Sequence, residues 1–418
     1  MTKQEIIHDM LKASRQAARV LAVATTAQKD AALERIAAAL RDRSAEIVAE
    51  NQKDIAAAAE KGLSAALIDR LTLTPERIED VARSVEEIVA LPDPIGDVFD
   101  LKTRPNGLRV GRMRVPLGVI GIVFESRPNV VIDAATLCLK SGNAVVLRGG
   151  SEAANSNRVL GAIAAAAVGE SGLPAAAVQV IGDTDRELVR HLLQARGLVD
   201  LVIPRGGEGL IRFVDQTATV PIILHYKGVC HAFVDKDADL AKALPIVENA
   251  KCHRPGVCNA LETLLLHRDI VDDFLPLVAE RLTTCGVALR GDKPSRVVAP
   301  QLDEATAADW DAEYLDLILS VAVVADVDDA LAHIAAHGSG HTEAIITENY
   351  TTAARFLREA DASCIVVNAS TRFNDGGQLG LGAEMGISTT KLHAYGPMGL
   401  AELTTSKFVV LGSGQVRE

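Results

Sequence analysis

Gly118-Val119-Ile120-Gly121-Ile122-Val123-Phe124 is a short apolar run without a single charge, and its reading decides the fold. A run of this length, rich in branched side chains, predicts a strand buried on both faces. Working outward, similar runs recur at Ala144–Leu147, Val178–Ile181, Leu198–Ile203, Val220–Leu224 and His231–Val234. Helical stretches separate most of them, as at Asn155–Val168 and Arg186–Ala195. Strand, helix, strand in this rhythm predicts a doubly wound parallel sheet covered on both faces. A second alternation begins after Cys258, with runs at Glu262–Leu266, Val287–Leu289, Leu317–Val324, Ala344–Thr347 and Cys364–Val367. The expected class is therefore α/β, with two doubly wound domains meeting near residue 245.

The first ninety or so residues read as helices. Ile6, Ile7, Met10, Leu11, Ala17, Val20 and Leu21 fall at helical spacing, as do Leu33, Ile36, Leu40 and Ile47. Thr74-Pro75-Glu76 signals a helix start, a capping hydroxyl followed by proline in the first turn. Lys102–Val115 alternates polar and apolar residues around Asn106-Gly107, which predicts a β-hairpin. The tail from Leu403 to Leu411 is another strand-like piece. Exposed ribbons of this kind tend to pair with another subunit, so a homo-oligomer is expected.

With 418 residues the chain is too long for one ordinary core. Its net charge of −12 argues against nucleic acid or an anionic membrane as partner. A small anionic substrate would need a focused basic pocket. Six cysteines show no CxxC pair, which fits a reducing, cytoplasmic setting. Cys252, His253 and Cys258 do not follow a zinc spacing, so no metal is expected. The N-terminus reads as an amphipathic helix carrying Glu5 and Asp9, not as an export signal, and no run is long enough to cross a bilayer.

One segment carries most of the chemistry: Lys251-Cys252-His253-Arg254-Pro255-Gly256-Val257-Cys258-Asn259-Ala260. A Pro-Gly turn ends in a thiol just before an apolar strand, which anchors the backbone and lifts the sulfur from the core. His253 and Arg254 would lower the thiol pKa and favour a nucleophilic thiolate. The alternative is a small buried hydrophobe. Two further loops end strands and open helices. Ile203-Pro204-Arg205-Gly206-Gly207-Glu208-Gly209 offers backbone N–H groups to a phosphate or nicotinamide, although it lacks the full G-x-G-x-x-G spacing; a simple tight turn is the other reading. In Arg148-Gly149-Gly150-Ser151, the arginine is placed to meet a ribose or its phosphate, with the glycines keeping the approach open.

Several motifs together resemble the aldehyde dehydrogenase superfamily, and within it the branch that reduces an acyl phosphate in proline biosynthesis. They are Val115–Gly121, Phe124-Glu125-Ser126-Arg127-Pro128-Asn129, Lys140–Val145, Pro204–Gly207, the cysteine segment, Gly338-Ser339-Gly340-His341-Thr342-Glu343 and Gly380–Ser388. The resemblance spans nearly the whole chain. It implies an NADP-binding domain over residues 1–100 and 116–244, a catalytic domain over 245–375, and an oligomerisation β-flap from 101–115 plus 400–418. It makes Cys258 the nucleophile, Arg148 the residue holding the adenosine ribose and Glu313 the partner of the nicotinamide ribose. Ser151 stands where NAD-preferring relatives often carry Glu, so NADPH is the expected cofactor, with neighbouring Glu152 the discordant charge.

The implied reaction turns L-glutamate 5-phosphate and NADPH into L-glutamate 5-semialdehyde, NADP⁺ and phosphate. Where hydrolytic relatives carry a general-base Glu, this chain reads Leu224-His225-Tyr226-Lys227-Gly228. An activated water would destroy a thioester, so the missing carboxylate fits reduction; His225 is left as a proton carrier or a structural histidine. The Cys258 N–H and the Asn129 amide are candidate oxyanion donors. His253, Arg254 and Arg205 are candidates for the phosphate, Arg372 for the α-carboxylate and Glu343 for the ammonium. A labile acyl phosphate also raises glutamate 5-kinase as a partner for direct transfer. Competing readings are a coenzyme-A-acylating aldehyde dehydrogenase, a non-redox cysteine acyltransferase or hydrolase, and an inactive interaction module.

Overall fold

The computed structural model describes residues 2–417. Five helices lead the chain: Lys3–Leu21, Thr26–Asp42, Ser44–Glu60, Ala65–Leu71 and Pro75–Ala90. The first two start with reciprocal caps, Thr2 with Glu5 and Thr25 with Gln28, and the fifth starts at Thr74 with Pro75 in its first turn. Their inward stripes, including Ile7, Leu11, Leu33, Ile36 and Leu40, share one apolar core with the first sheet.

That sheet has four parallel strands in the order Val178–Val180, Ala144–Gly149, Val119–Phe124 and Leu201–Arg205. Val119–Phe124 is buried at every residue. The expected strand at Val220–Leu224 contributes only one bridge, between Ile222 and Val202. Pro221 accounts for part of this: its carbonyl accepts from Val202 N–H at 2.9 Å, but it has no N–H of its own for a further ladder bond.

The second sheet has seven strands, every neighbouring pair parallel: Asp303–Glu304, Ala288–Gly291, Ile318–Val324, Leu261–His267, Cys230–Val234, Thr342–Ile346 and Cys364–Val367. Here the sequence expectation needs correction. The run His231–Val234 belongs to this sheet, between Leu261–His267 and Thr342–Ile346, so the chain crosses between sheets ahead of Cys230. Residue 245 instead lies inside the helix Leu240–Cys252, whose Ala243, Val247 and Ala250 pack in the second core. Apolar runs give strand positions but not sheet membership, and a crossing without a helix leaves no mark in periodicity.

The hairpin forms from Val98–Thr103 and Arg109–Pro116, with Gly107 at φ +83° in the turn. The tail strand Thr404–Leu411 pairs antiparallel with Arg109–Pro116 along its whole length. Flap and tail are thus one three-stranded sheet of the same chain. The segment before the tail also returns to the first domain, where Met385, Ala394, Met398 and Leu400 join its core. No helix among the described residues is long and apolar enough to cross a membrane.

Candidate active site

The crossing between the sheets, the turn after Leu240–Cys252 and the start of Thr342–Ile346 meet at Cys258. The thiol of Cys258, a nitrogen of His225 and a nitrogen of His341 all lie within 4.8 Å of one another. Backbone contacts fix the turn. Cys230 Sγ donates to the Cys258 carbonyl at 3.2 Å, and Gly228 packs so closely on that carbonyl that a Cβ would overlap it. Gly228 N–H in turn donates to Glu313 Oε1 at 2.9 Å.

Burial pushes the Cys258 thiol up to about 11; the strongest opposing charge is Arg205, while Glu313 and Glu384 add to the upward push. The thiol's own backbone N–H supports its charged form. The sequence predicts His253 and Arg254 as the groups that lower the thiol pKa; the cation that opposes its rise most strongly is instead Arg205. Its guanidinium also presses on Gly386, in the Gly380–Ser388 stretch, where a Cβ would collide with it. The guanidinium thus reaches the C-terminal loop and acts on the thiol.

The two histidines are electrically neutral partners. Burial drives His225 down to about 4, with Arg205 adding to the effect. Burial and then His225 drive His341 down to about 3. Their rings stand edge to face with centroids 5.2 Å apart. Both Nε2 atoms are buried without a hydrogen-bond partner. His341 was not singled out in the sequence, although the Gly338–Glu343 motif contains it; only the fold brings it beside a cysteine more than eighty positions earlier.

A cationic rim surrounds this centre. Arg127 lies within electrostatic reach of Arg205, Arg254 and Cys258. Arg372 feels Arg254 and Cys258, and its Nε donates to His253 Nδ1 at 3.4 Å. His253, Arg254 and Arg372 are therefore brought together, with Arg372 within electrostatic reach of Cys258. Asn129 is nearby in chain terms, at the start of the helix Val130–Lys140, and its amide donates to Asp133 Oδ2 at 2.8 Å. Burial raises Asp133 to about 6.

Glu343 is different. It is fully buried, and its Oε2 accepts from the His231 backbone N–H at 3.1 Å and lies 3.0 Å from His231 Nδ1. A carboxylate committed to a central strand is not available to a substrate ammonium, so that expectation is withdrawn. Its strand is buried at every residue, and the charge alone gave no hint of the buried partner.

The nucleotide side lies at the carboxyl ends of the first sheet. Arg148 donates to the Thr184 carbonyl at 2.7 Å, while its buried Nε has no partner. An unspent donor at the rim of a cleft lined by Gly149, Gly150, Asp183 and Thr184 fits a ribose or phosphate oxygen. The glycines have a different cause from the one expected: Cβ atoms at Gly149 and Gly150 would strike Asn157 and Glu152. Glu152 Oε1 accepts from Ser126 N–H at 2.6 Å and Ser126 Oγ at 2.8 Å, holding a residue at φ +45°. Ser151 is exposed beside it. In the Pro204–Gly207 loop, Gly207 N–H donates to Glu125 Oε2 at 2.9 Å, and Gly206 leaves room for that carboxylate. The positive helix end at Glu208–Thr217 is thus met by the protein's own anion.

Known proteins share this design. The family model described as "Aldehyde dehydrogenase family" matches residues 1–317. A gamma-glutamyl phosphate reductase from Desulfatibacillum aliphaticivorans is 56% identical over 417 residues, covering all of both chains. The crystal structure of a gamma-glutamyl phosphate reductase from Thermotoga maritima superposes with a TM-score of 0.97 at 48% identity, covering 99% of this chain and 100% of that one. A glyceraldehyde-3-phosphate dehydrogenase from Methanocaldococcus jannaschii, complexed with NADP, shares the fold at a TM-score of 0.67 and 15% identity, over 99% of this chain and 95% of that one. The chain therefore belongs to the aldehyde dehydrogenase family, in its gamma-glutamyl phosphate reductase branch, and is an oxidoreductase.

Proposed function

We propose that this protein reduces L-glutamate 5-phosphate to L-glutamate 5-semialdehyde in cytoplasmic proline biosynthesis, through a thioester on Cys258 and with NADPH as reductant. The observation that carries the reading is a thiol within electrostatic reach of Arg205, Arg127 and Arg372, with Arg254 acting on the last two to complete a ring of arginines. Such a ring suits a substrate bearing both a phosphate and a carboxylate.

Arg205 stabilises the Cys258 thiolate as it attacks the acyl carbon. The C–S bond forms, the carbon–oxygen bond to phosphate breaks, and the arginines hold the departing dianion. The Cys258 N–H is one candidate donor for the oxyanion, and the Asn129 amide, hydrogen-bonded to Asp133, is the second. When bound, the reduced nicotinamide supplies a hydride for the thioester carbon. The resulting alkoxide collapses, the C–S bond breaks, and Cys258 leaves as the thiolate it began as. Where a hydrolytic relative would place a carboxylate base for water, His225 stands near the sulfur, and burial lowers it to about 4, which makes it a weak base for activating water.

Arg148, Ser151 and Glu313 are the residues we assign to the cofactor. Arg148 has a free donor for a 2′-phosphate, and Glu152, the discordant charge beside it, is turned to Ser126. Glutamate 5-kinase is the natural donor of so labile a substrate. The test follows NADPH absorbance with glutamate 5-phosphate, and weighs Cys258 peptides after trapping mid-turnover. Turnover only with an acyl-CoA, or an adduct on another side chain, would overturn the assignment.

A further inference from the structure

We propose that Cys258, His225 and His341 form a three-ligand site for a borderline-soft divalent cation, zinc, which caps the nucleophile and reversibly silences the enzyme. The site stands on geometry alone; its effect on turnover rests on Cys258 being the nucleophile.

Three observations converge. One thiol and two imidazole nitrogens lie within 4.8 Å of one another, and this is the one such cluster of three or more ligating groups among the described residues. Both Nε2 atoms are buried and lack a partner, so each is short of a bond that a metal would supply. Finally, His341 is prepared from behind. It is fully buried at the head of the strand Thr342–Ile346, and its Nδ1 lies 2.7 Å from Thr342 Oγ1. A metal on Nε2 selects the tautomer with a proton on Nδ1, which Thr342 Oγ1 is placed to accept. Asn374 Nδ2 donates to the same oxygen at 2.8 Å and fixes its position.

Tetrahedral zinc with bonds of about 2.0–2.3 Å needs ligand atoms roughly 3.5 Å apart, so the cluster must tighten by about 1 Å. The half-buried residues can make that movement. Cys258 sits on a turn and His225 on an irregular segment, whereas His341 is anchored by its sheet. Sulfur with two imidazoles suits zinc, cobalt or copper and excludes magnesium and calcium, which take oxygen ligands. A fourth position would remain open to water or to a substrate oxygen. The ligands come from three distant segments, so the local spacing around Cys252 and His253 could not have revealed them.

The test titrates the reduced enzyme with Co²⁺ and Zn²⁺ in a Cys252→Ser, Cys285→Ser background, which removes a second, part-buried pair of interacting thiols that could bind the metal. The expected result is one Co²⁺ per chain with intense tetrahedral bands and a thiolate charge-transfer band. That band should vanish in Cys258→Ser, and affinity should fall about tenfold or more in both His341→Ala and the better-tolerated His341→Gln. Zn²⁺ should displace Co²⁺ and inhibit in parallel, with chelator restoring activity and Mg²⁺ doing nothing. An octahedral spectrum, or equal affinity in folded His341→Gln, overturns the site. Stoichiometric tetrahedral binding with full turnover overturns its silencing role and the assignment of Cys258, while leaving the site intact.

Discussion

Gly228 packs directly against the carbonyl of Cys258, at a distance that leaves no room for a Cβ. The same glycine donates its N–H to Glu313. One backbone position thus ties the sulfur-bearing turn to the carboxylate assigned to the nicotinamide ribose. Gly228→Ala should displace the Cys258 turn by a fraction of an ångström to an ångström, and misplacement on that scale costs about 10²-fold in rate. Steady-state kcat together with Tm checks this: kcat should collapse while Tm moves only a few degrees. A variant retaining most of its activity would mean the turn has slack.

The buried thiol sets a pH dependence. Burial raises the free thiol to about 11 and Arg205 opposes that rise. The charged form is the reactive one, so reactivity must grow as pH increases. Alkylation of Cys258 by iodoacetamide should accelerate about tenfold per pH unit from pH 7 to pH 10, because only the thiolate attacks. Arg205→Met removes the opposing charge, raises the pKa further and slows alkylation at every pH below it. Equal rates in the two proteins would place the activating charge elsewhere.

On the proposed assignment, cofactor choice turns on residues 148–152. Ser151 is exposed and Glu152 is bound to Ser126, so a carboxylate introduced at 151 adds negative charge to this rim and competes with a 2′-phosphate for Arg148. Ser151→Glu should lower the NADPH-to-NADH ratio of kcat/KM roughly tenfold, an effect that weakens with salt. Unchanged preference would remove Ser151 from the cofactor site.

Glu343 and His231 make a fully buried pair in the middle of the second sheet. Burial raises the Glu343 pKa, while His231 opposes the rise. Glu343→Ala leaves the His231 N–H and ring without their acceptor, at a cost of about 3 kcal/mol or more. Denaturant and thermal unfolding should show that loss, with KM for glutamate 5-phosphate nearly unchanged. A raised KM at unaltered stability would restore Glu343 as a ligand for the substrate ammonium.

These contrasts show which features could be read from the chain. Strand runs such as Val119–Phe124 and caps such as Thr74-Pro75 are local physics, so they are legible in sequence. The cysteine turn is legible for the same reason. Sheet membership of Cys230–Val234, the burial of Glu343 and the meeting of His225 with His341 depend on contacts between segments far apart in sequence. Glycine was only half legible. Gly149, Gly150 and Gly206 read as open ground for a ligand, yet each makes room for another part of this chain. Arg205 was noticed for its loop, but its task follows from where its guanidinium ends.

The flap offers the last test. Its central strand Arg109–Pro116 is paired on both sides, so the free edges belong to Val98–Thr103 and Thr404–Leu411. Phe408 is 68% exposed and Val410 55% exposed, both on the tail strand. An edge strand carrying large apolar side chains in water is a hazard unless another chain covers it. Arg112 covers only one face of Phe408, with its guanidinium carbon 4.6 Å from the ring centroid. We therefore expect the tail edge to pair between subunits. Phe408→Asp should shift the sedimentation mass toward a single chain at low micromolar concentration, without loss of the helical circular dichroism signal. Should the mass stay fixed, or already equal one chain in the unmodified protein, the flap is not the assembly surface.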